Sequence, residues 1–158
     1  MLTLSHVVAI SKNNVIGNQN KIPWDLPEDR KHFRAITLNH CILIGKNTYQ
    51  SIGKALPKRH NVVISRTLQS LPDAQVFASI EKAISYCQKT YSEEQELFII
   101  GGAEIYKETM PMISKIYLTR IDQDYQGDTF YLAIPPEFIE TSRDDREGYS
   151  FITLERNR

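Results

Sequence analysis

Apolar and polar positions follow one another along this chain in blocks, short and nearly continuous β-branched runs separated by segments of helical spacing. SHVVAI, CILIG, NVVIS, QVFA, ELFII and KIYLTRI predict strands. KNTYQSIG, IEKAISYCQKTY and AEIYKETM predict helices, as does the segment that begins at Pro27. Continuously apolar strands suit a sheet covered on both faces by crossover helices. The order therefore predicts an α/β fold built on a mostly parallel, twisted sheet of about eight strands with helices on both faces. The end of the chain differs, because EFIETSR and YSFITLERN flank DDREG and predict an antiparallel hairpin closing one edge. Between the first strand and the first helix lies SKNNVIGNQNKIPWD, predicted to be a loop. A loop of that length in a compact domain is more often a lid or binding loop than a mere connection. No repeat, low-complexity tract or linker interrupts the chain, so residues 1–158 are expected to form a single domain.

The helix after Pro27 carries an unusual stripe. Proline suits a first helical turn, having no N–H to waste and a helical φ already set. With the helix starting there, Asp29, Phe33 and Ile36 share one face, while Glu28, Lys31 and Arg34 form the wet one. Asp29 is then the acidic member of an apolar stripe, with Trp24 just upstream. Two readings fit it: a first-turn acid favoured by the helix dipole, or a desolvated acid whose raised pKa lets it help protonate a nitrogen heterocycle. It has no neighbouring acid with which to form a glycosidase-type pair.

Composition narrows the classes. The 158 residues include 19 basic and 19 acidic side chains, a balance that makes no general case for nucleic acid or an acidic membrane as partner. No apolar run is long enough to span a bilayer, and the amino terminus lacks the charged n-region and cleavage site of a secretory signal, so a cytoplasmic protein is expected. Cys41 and Cys87 lie in apolar segments without CxxC spacing and are expected to be buried reduced thiols. His6, His32, His40 and His60 show no metal-ligand spacing, and no serine sits in G-x-S-x-G.

Three strand ends carry the remaining chemistry. In LFIIGGAEIY a strand runs into Gly101-Gly102 and then directly into a helix, where bare backbone and free N–H groups suit phosphate; tight packing alone would also explain paired glycines. Gly45, Lys46, Asn47 and Thr48 repeat the arrangement, and Ser65, Arg66 and Thr67 follow NVVI. Ligands of open α/β sheets bind outside the carboxyl ends of the strands, so the three ends share one rim that fits a ligand with several phosphates. Neither G-x-G-x-x-G nor a P-loop motif is present.

Taken together and in order, VVAISKNNVIGNQNKIPWDLPEDRKHF, Thr37-Leu38-Asn39, ILIGKNTYQSIGKALPKR, FIIGGAEIY, IYLTRID, GDTF and the closing YSF resemble a bacterial dihydrofolate reductase over nearly the whole chain. The P-W-D-L-P-x-D segment and I-G-G-x-x-I-Y are specific in combination. The resemblance implies a monomeric enzyme that reduces dihydrofolate with NADPH. It makes Asp29, Trp24 and Thr119 the catalytic set: Asp29 would hold the pterin and promote protonation at N5, Thr119 would hydrogen-bond its carboxylate, and Trp24 would reach it through water. Val7, Val8, Ala9, Phe33, Ile100 and Tyr106 would line the pterin pocket, with Ile22 covering it from the lid. Ile52 and Leu56 would flank the aminobenzoyl ring, and Arg59 would take the α-carboxylate of the substrate. For the cofactor the resemblance implies Gly101, Gly102, Ala103, Ile105 and Tyr106, with Ala9 and Ile100. The second phosphate-contacting start would be Gly45, Lys46, Asn47 and Thr48, and Ile64, Ser65 and Arg66 would surround the adenosine 2′-phosphate. The glycines would form a cis pair. Ile16, Gly17 and Asn20 would belong to a mobile lid supported by Asp128 after Gly127.

The sequence also departs from that pattern. Arg30 stands beside the acid where an apolar residue is usual, and it is expected to reach the glutamate tail or the lid. Glu104 replaces a cation near the cofactor phosphates in some members, and Asn47 replaces a histidine. Two alternatives remain: a pyrimidine reductase of riboflavin synthesis, which should lack the acid and Arg59, and a non-catalytic nucleotide- or pterin-binding module.

Overall fold

The structure, a computed structural model, describes residues 2–91 and 96–157. Strand β1 (Thr3–Ile10) leads through a short β2 (Val15–Gly17) into helix α1 (Pro27–Thr37). β3 (Cys41–Gly45), α2 (Lys46–Ile52), β4 (His60–Ile64), β5 (Gln75–Phe77) and α3 (Ile80–Thr90) follow. Then come β6 (Glu96–Ile99), α4 (Ala103–Thr109), β7 (Lys115–Ile121), β8 (Thr129–Phe130), β9 (Phe138–Arg146) and β10 (Tyr149–Arg156). Eight strands make one sheet in the order β5-β4-β3-β6-β1-β7-β10-β9. The first six run parallel, and β10 is antiparallel to both β7 and β9.

Alternation along the central strands explains the two helical layers. Cys41 and Leu43 of β3 turn to one face and join Ile80, Ala83 and Cys87 of α3 and Ile105, Tyr106 and Met110 of α4. Ile42 and Ile44 turn to the other, toward Phe33 and Ile36 of α1 and Tyr49 of α2. Side chains such as Ile42, Leu43 and Ile44, at most 1% exposed, each contribute on the order of 1.5–3 kcal/mol of hydrophobic stabilisation. Cys41 and Cys87 are both buried and neither is in a disulfide.

Pro27 occupies the first turn of α1, Glu28 and Asp29 follow it, and Arg34 sits in the last turn. Each choice agrees with the helix dipole. Helix α3 is capped by Ser79, whose hydroxyl accepts from the Lys82 amide at 3.2 Å.

Two expectations need correction. Residues 11–25 are not all loop: Val15–Gly17 pair antiparallel with Thr129–Phe130 in a small separate sheet, so the segment is anchored at its middle. The hairpin turn is also tighter than DDREG suggested. Asp144, Asp145 and Arg146 stay in β9, paired with Phe151, Ser150 and Tyr149. The turn is Glu147-Gly148, with Gly148 at φ 86°, a left-handed conformation that a side chain would disfavour. Polarity misled there, because the outer strand is exposed on both faces and needs no apolar alternation.

Strand β6 lies between β1 and β3, and the helices that follow β1 and β6 leave on opposite faces of the sheet. A crevice must therefore open at the carboxyl ends of these strands, the usual binding position of open α/β sheets.

Candidate active site

A cleft of about 1200 Å³ lies at that crevice, and every candidate site residue inferred from the sequence borders it. Asp29 enters from the first turn of α1. Its Oδ1 accepts a 2.6 Å hydrogen bond from Thr119 Oγ1 on β7, across the full sequence distance between the two elements. Burial holds the carboxyl above the ordinary carboxylate range, opposed in order by the Thr119 bond and the positive charges of His32 and Arg30. Of the two readings of Asp29, the geometry supports the desolvated acid. Trp24 borders the cleft with its ring packed edge-on against Tyr125, centroids 5.2 Å apart.

The floor beneath the acid is β1. Val7 and Val8 are buried and Ala9 half-buried, and the Val7 carbonyl accepts a 2.7 Å bond from the hydroxyl of buried Tyr106 on α4. Phe33 continues the wall and packs with Ile36, Leu56 and Ile100. Ile52, 40% exposed, and Leu56 stand further along it. Arg59 closes that end: its Nε donates to the Pro57 carbonyl at 2.9 Å, and its guanidinium lies 6.0 Å from the Phe33 ring centroid and 3.3 Å from Thr37 Oγ1. Burial and the nearby Arg34 lower its pKa from the usual guanidinium value. Of the two directions expected of it, Arg30 takes the one toward the segment before α1. It forms an ion pair with Asp25 at the end of the lid segment.

Another part of the cleft border is formed by the two turns that open α2 and α4. Gly101-Gly102 is a cis peptide, with Gly101 at φ 127°. A Cβ on Gly102 would stand 2.9 Å from Thr48 Oγ1, and one on Gly45 would stand 3.1 Å from Ile105 Cγ1. Here the close approach of two turns, each opening a helix without a side-chain cap, accounts for the glycines. Lys46 Nζ donates to Thr67 Oγ1 at 3.0 Å, joining the start of α2 to the end of β4, where Ser65 is buried, Ile64 half-buried and Arg66 exposed. Asn47 and Glu104 are exposed, and Ala103 is half-buried.

Over the cleft, Ile16 and Gly17 lie in β2, while Asn20 has a left-handed φ of 63° and a carbonyl that accepts from Ser51 Oγ on α2. Ile22 is 66% exposed. Asp128 ties down the 11–25 segment: its carboxylate accepts from the Gln19 amide at 3.0 Å, and its own amide donates to the Gly17 carbonyl at 3.1 Å. Gly127 fits only as glycine, since a Cβ would come within 2.3 Å of Val15 Cγ1 and 2.7 Å of the Gly17 carbonyl.

Other bordering residues escaped the sequence reading. Ala78, Ser79, Ile80 and Glu81 follow β5, a fourth carboxyl end to which the same rule applied but whose segment lacks glycine or a cation as a signal. His32 is three residues beyond Asp29, and helical spacing alone places it on a neighbouring part of the same face. Among the described residues no cluster of histidine, cysteine or carboxylate side chains could hold a metal, and no helix is long and apolar enough to cross a membrane.

The dihydrofolate reductase family model matches residues 3–156. The chain is 38% identical to dihydrofolate reductase type 3 of Salmonella typhimurium over 99% of this chain and all of that one. It is 46% identical to the dihydrofolate reductase of Buchnera aphidicola subsp. Acyrthosiphon pisum over 82% of this chain and 79% of that one. Its fold superposes with a TM-score of 0.88, at 28% identity and covering 99% and 97% of the two chains, on Enterococcus faecalis dihydrofolate reductase complexed with NADP(H) and RAB-propyl. A fold, a cleft and a sequence that agree over almost all residues place this chain in the dihydrofolate reductase family.

Proposed function

We propose that this chain catalyses the NADPH-dependent reduction of 7,8-dihydrofolate to 5,6,7,8-tetrahydrofolate. The observation that carries the reading is the Asp29–Thr119 pair, a lone carboxyl held above its ordinary proton affinity inside the same cleft as the glycine turn. In this reading Asp29 binds the 2-amino group and N3 of the pterin and promotes protonation at N5. Thr119 fixes the orientation of the carboxyl, Trp24 reaches it through water, and the apolar wall of Val7, Val8, Ala9, Phe33, Ile100 and Tyr106 excludes solvent so that the proton stays with the acid. Ile22 covers the ring from the lid. Ile52 and Leu56 flank the aminobenzoyl group, and Arg59 presents a planar fork to the α-carboxylate.

The cleft fits the cofactor by its shape. Gly45 and Gly102 leave backbone where a Cβ would crowd its neighbours, and Lys46 and Arg66 supply cations along the same rim. NADPH, when bound, supplies hydride to C6. Gly45, Lys46, Asn47, Thr48, Gly101, Gly102, Ala103, Glu104 and Ile105 would hold its pyrophosphate and nicotinamide regions, and Ile64, Ser65 and Arg66 its 2′-phosphate end. Ile16, Gly17 and Asn20 would close above it. The balanced charge makes no general case for nucleic acid or an acidic membrane as partner, and the family resemblance implies a cytoplasmic monomer of one domain that acts on small molecules.

Mixing the protein with dihydrofolate and NADPH should remove the absorbance of reduced nicotinamide, with neither compound alone sufficient. No loss would refute the reading and favour a binding module.

A further inference from the structure

Asp29 has a titratable neighbour that the proposed reaction does not use. His32 lies one helical turn further along α1 and also borders the cleft. Its ring stacks on Phe151 of β10, centroids 3.8 Å apart and planes 16° from parallel. The same phenyl ring carries Arg146 of β9, whose guanidinium carbon is 5.5 Å from its centroid, and Arg146 is paired with Asp144 at 2.8 Å. The imidazole is thus fixed in a half-buried seat between the acid-bearing helix and the edge hairpin. Any aromatic ring would satisfy the stack; only histidine can add a proton there.

We propose that His32 is a positioning residue that sets the proton affinity of Asp29 by charge, the stack on Phe151 holding its imidazole one turn from the carboxyl group. Besides their influence on each other, three charged groups bear on the pair. Asp29 and Asp144 favour the imidazolium and Arg146 opposes it, while Arg30 acts with His32 in favouring the carboxylate. Burial, the largest influence on each ring and carboxyl, favours the neutral form of both. The two therefore titrate as a coupled pair, each charge encouraging the other. The consequence for the reaction, which rests on the function proposed above, is confined to acid: burial holds the imidazole below its usual pKa, so His32 favours the Asp29 carboxylate only where the ring is protonated and leaves the acid to its own burial at neutral pH.

The test compares the full-length protein with His32→Phe, which keeps the ring and removes the charge. Carbon NMR of the Asp29 carboxyl against pH, without cofactor, should show the midpoint rising by about 0.5–1 pH unit in the variant. In Asp29→Asn the imidazole of His32 should titrate lower by a similar amount, since linkage is reciprocal. A ring that only packs predicts neither shift. An Asp29 midpoint equal in native protein and His32→Phe overturns the proposal. So does a His32 midpoint unmoved in Asp29→Asn, a measurement that does not depend on His32→Phe folding. Both titrations proceed without turnover. Absence of dihydrofolate reduction in the native protein would remove the functional reading and leave them intact, whereas unmoved midpoints in an active enzyme would remove only the role given to His32.

Discussion

The two walls of the cleft are made of different material. On the α1 side, recognition is assigned to a few side chains: one carboxyl, one guanidinium and the apolar surface between them, each seated by a named contact such as Thr119 on Asp29 or Pro57 on Arg59. On the side of the glycine turn, recognition is assigned to the backbone at two closely approaching turns, with cations added at the rim. The contrast follows from the ligands. A heterocycle that must receive a proton needs a group of tuned pKa, which only a side chain provides. Phosphates carry charge at every pH of interest, and fixed N–H groups suffice for them. Substitutions on the first wall should therefore alter chemistry or substrate affinity one function at a time, and those on the second should alter cofactor affinity gradually.

Asp29→Asn should break the comparison hardest. Asparagine can still accept from Thr119 but cannot supply a proton, so turnover at neutral pH should drop by about 10²–10⁴-fold, the usual worth of general acid catalysis. Part of the activity should return in acid, where dihydrofolate arrives already protonated, while NADPH affinity measured by fluorescence stays near native. Equal turnover at neutral pH would remove the acid from the mechanism. Arg59→Lys should act on KM instead. Replacing the planar fork by a point charge should raise KM for dihydrofolate about tenfold, with kcat little changed. A pterin substrate lacking the glutamate should not notice the change, and if it does, Arg59 serves the fold rather than the tail.

These two walls also differed in how well they could be read from sequence. The α1 wall was legible because a helix converts spacing into direction: Pro27 fixes the phase, and Asp29, Phe33 and Ile36 then fall on one stripe. The central strands were legible for a similar reason, their apolar runs marking them as covered on both faces. What escaped depended on contacts between segments distant in sequence. Val15–Gly17 looks like loop because its pairing partner is more than a hundred residues away, at Thr129–Phe130. Arg30, five residues from Asp25, takes the second of its two expected directions, and the sequence alone left that choice open. Periodicity found the acid, but nothing in it shows that Phe151 would stack on His32.

Lys46→Met probes the second wall and should have a smaller effect. One of several cations and N–H groups is lost there, so affinity for NADPH should fall several-fold, by roughly 3–10-fold, and kcat at saturation should hold. The Lys46–Thr67 bond joins two rim segments, so a Thr67→Val protein separates loss of that tie from loss of charge. If Thr67→Val weakens NADPH binding as much as Lys46→Met, the tie and not the cation is what matters on this wall.

The smallest effect concerns stability, and its sign tests the desolvation argument directly. The carboxyl of Asp29 has a higher pKa in the folded chain than in the unfolded one, chiefly through burial. Such a group favours the folded state below its unfolded pKa, and that contribution is lost as pH rises through the folded pKa. Native protein and Asp29→Asn, both without ligand, should therefore melt together in acid, where the carboxyl is neutral in either state. Across the interval above the ordinary carboxylate pKa the variant should become the more stable, and the gap should then stay level to neutral pH. Thr119, His32 and Arg30 all oppose burial, so the gap should be small, about 1–3 °C in Tm. A variant less stable than the native protein at neutral pH would mean that the charged acid is favourably held, and that this wall stores no strain for the chemistry to use.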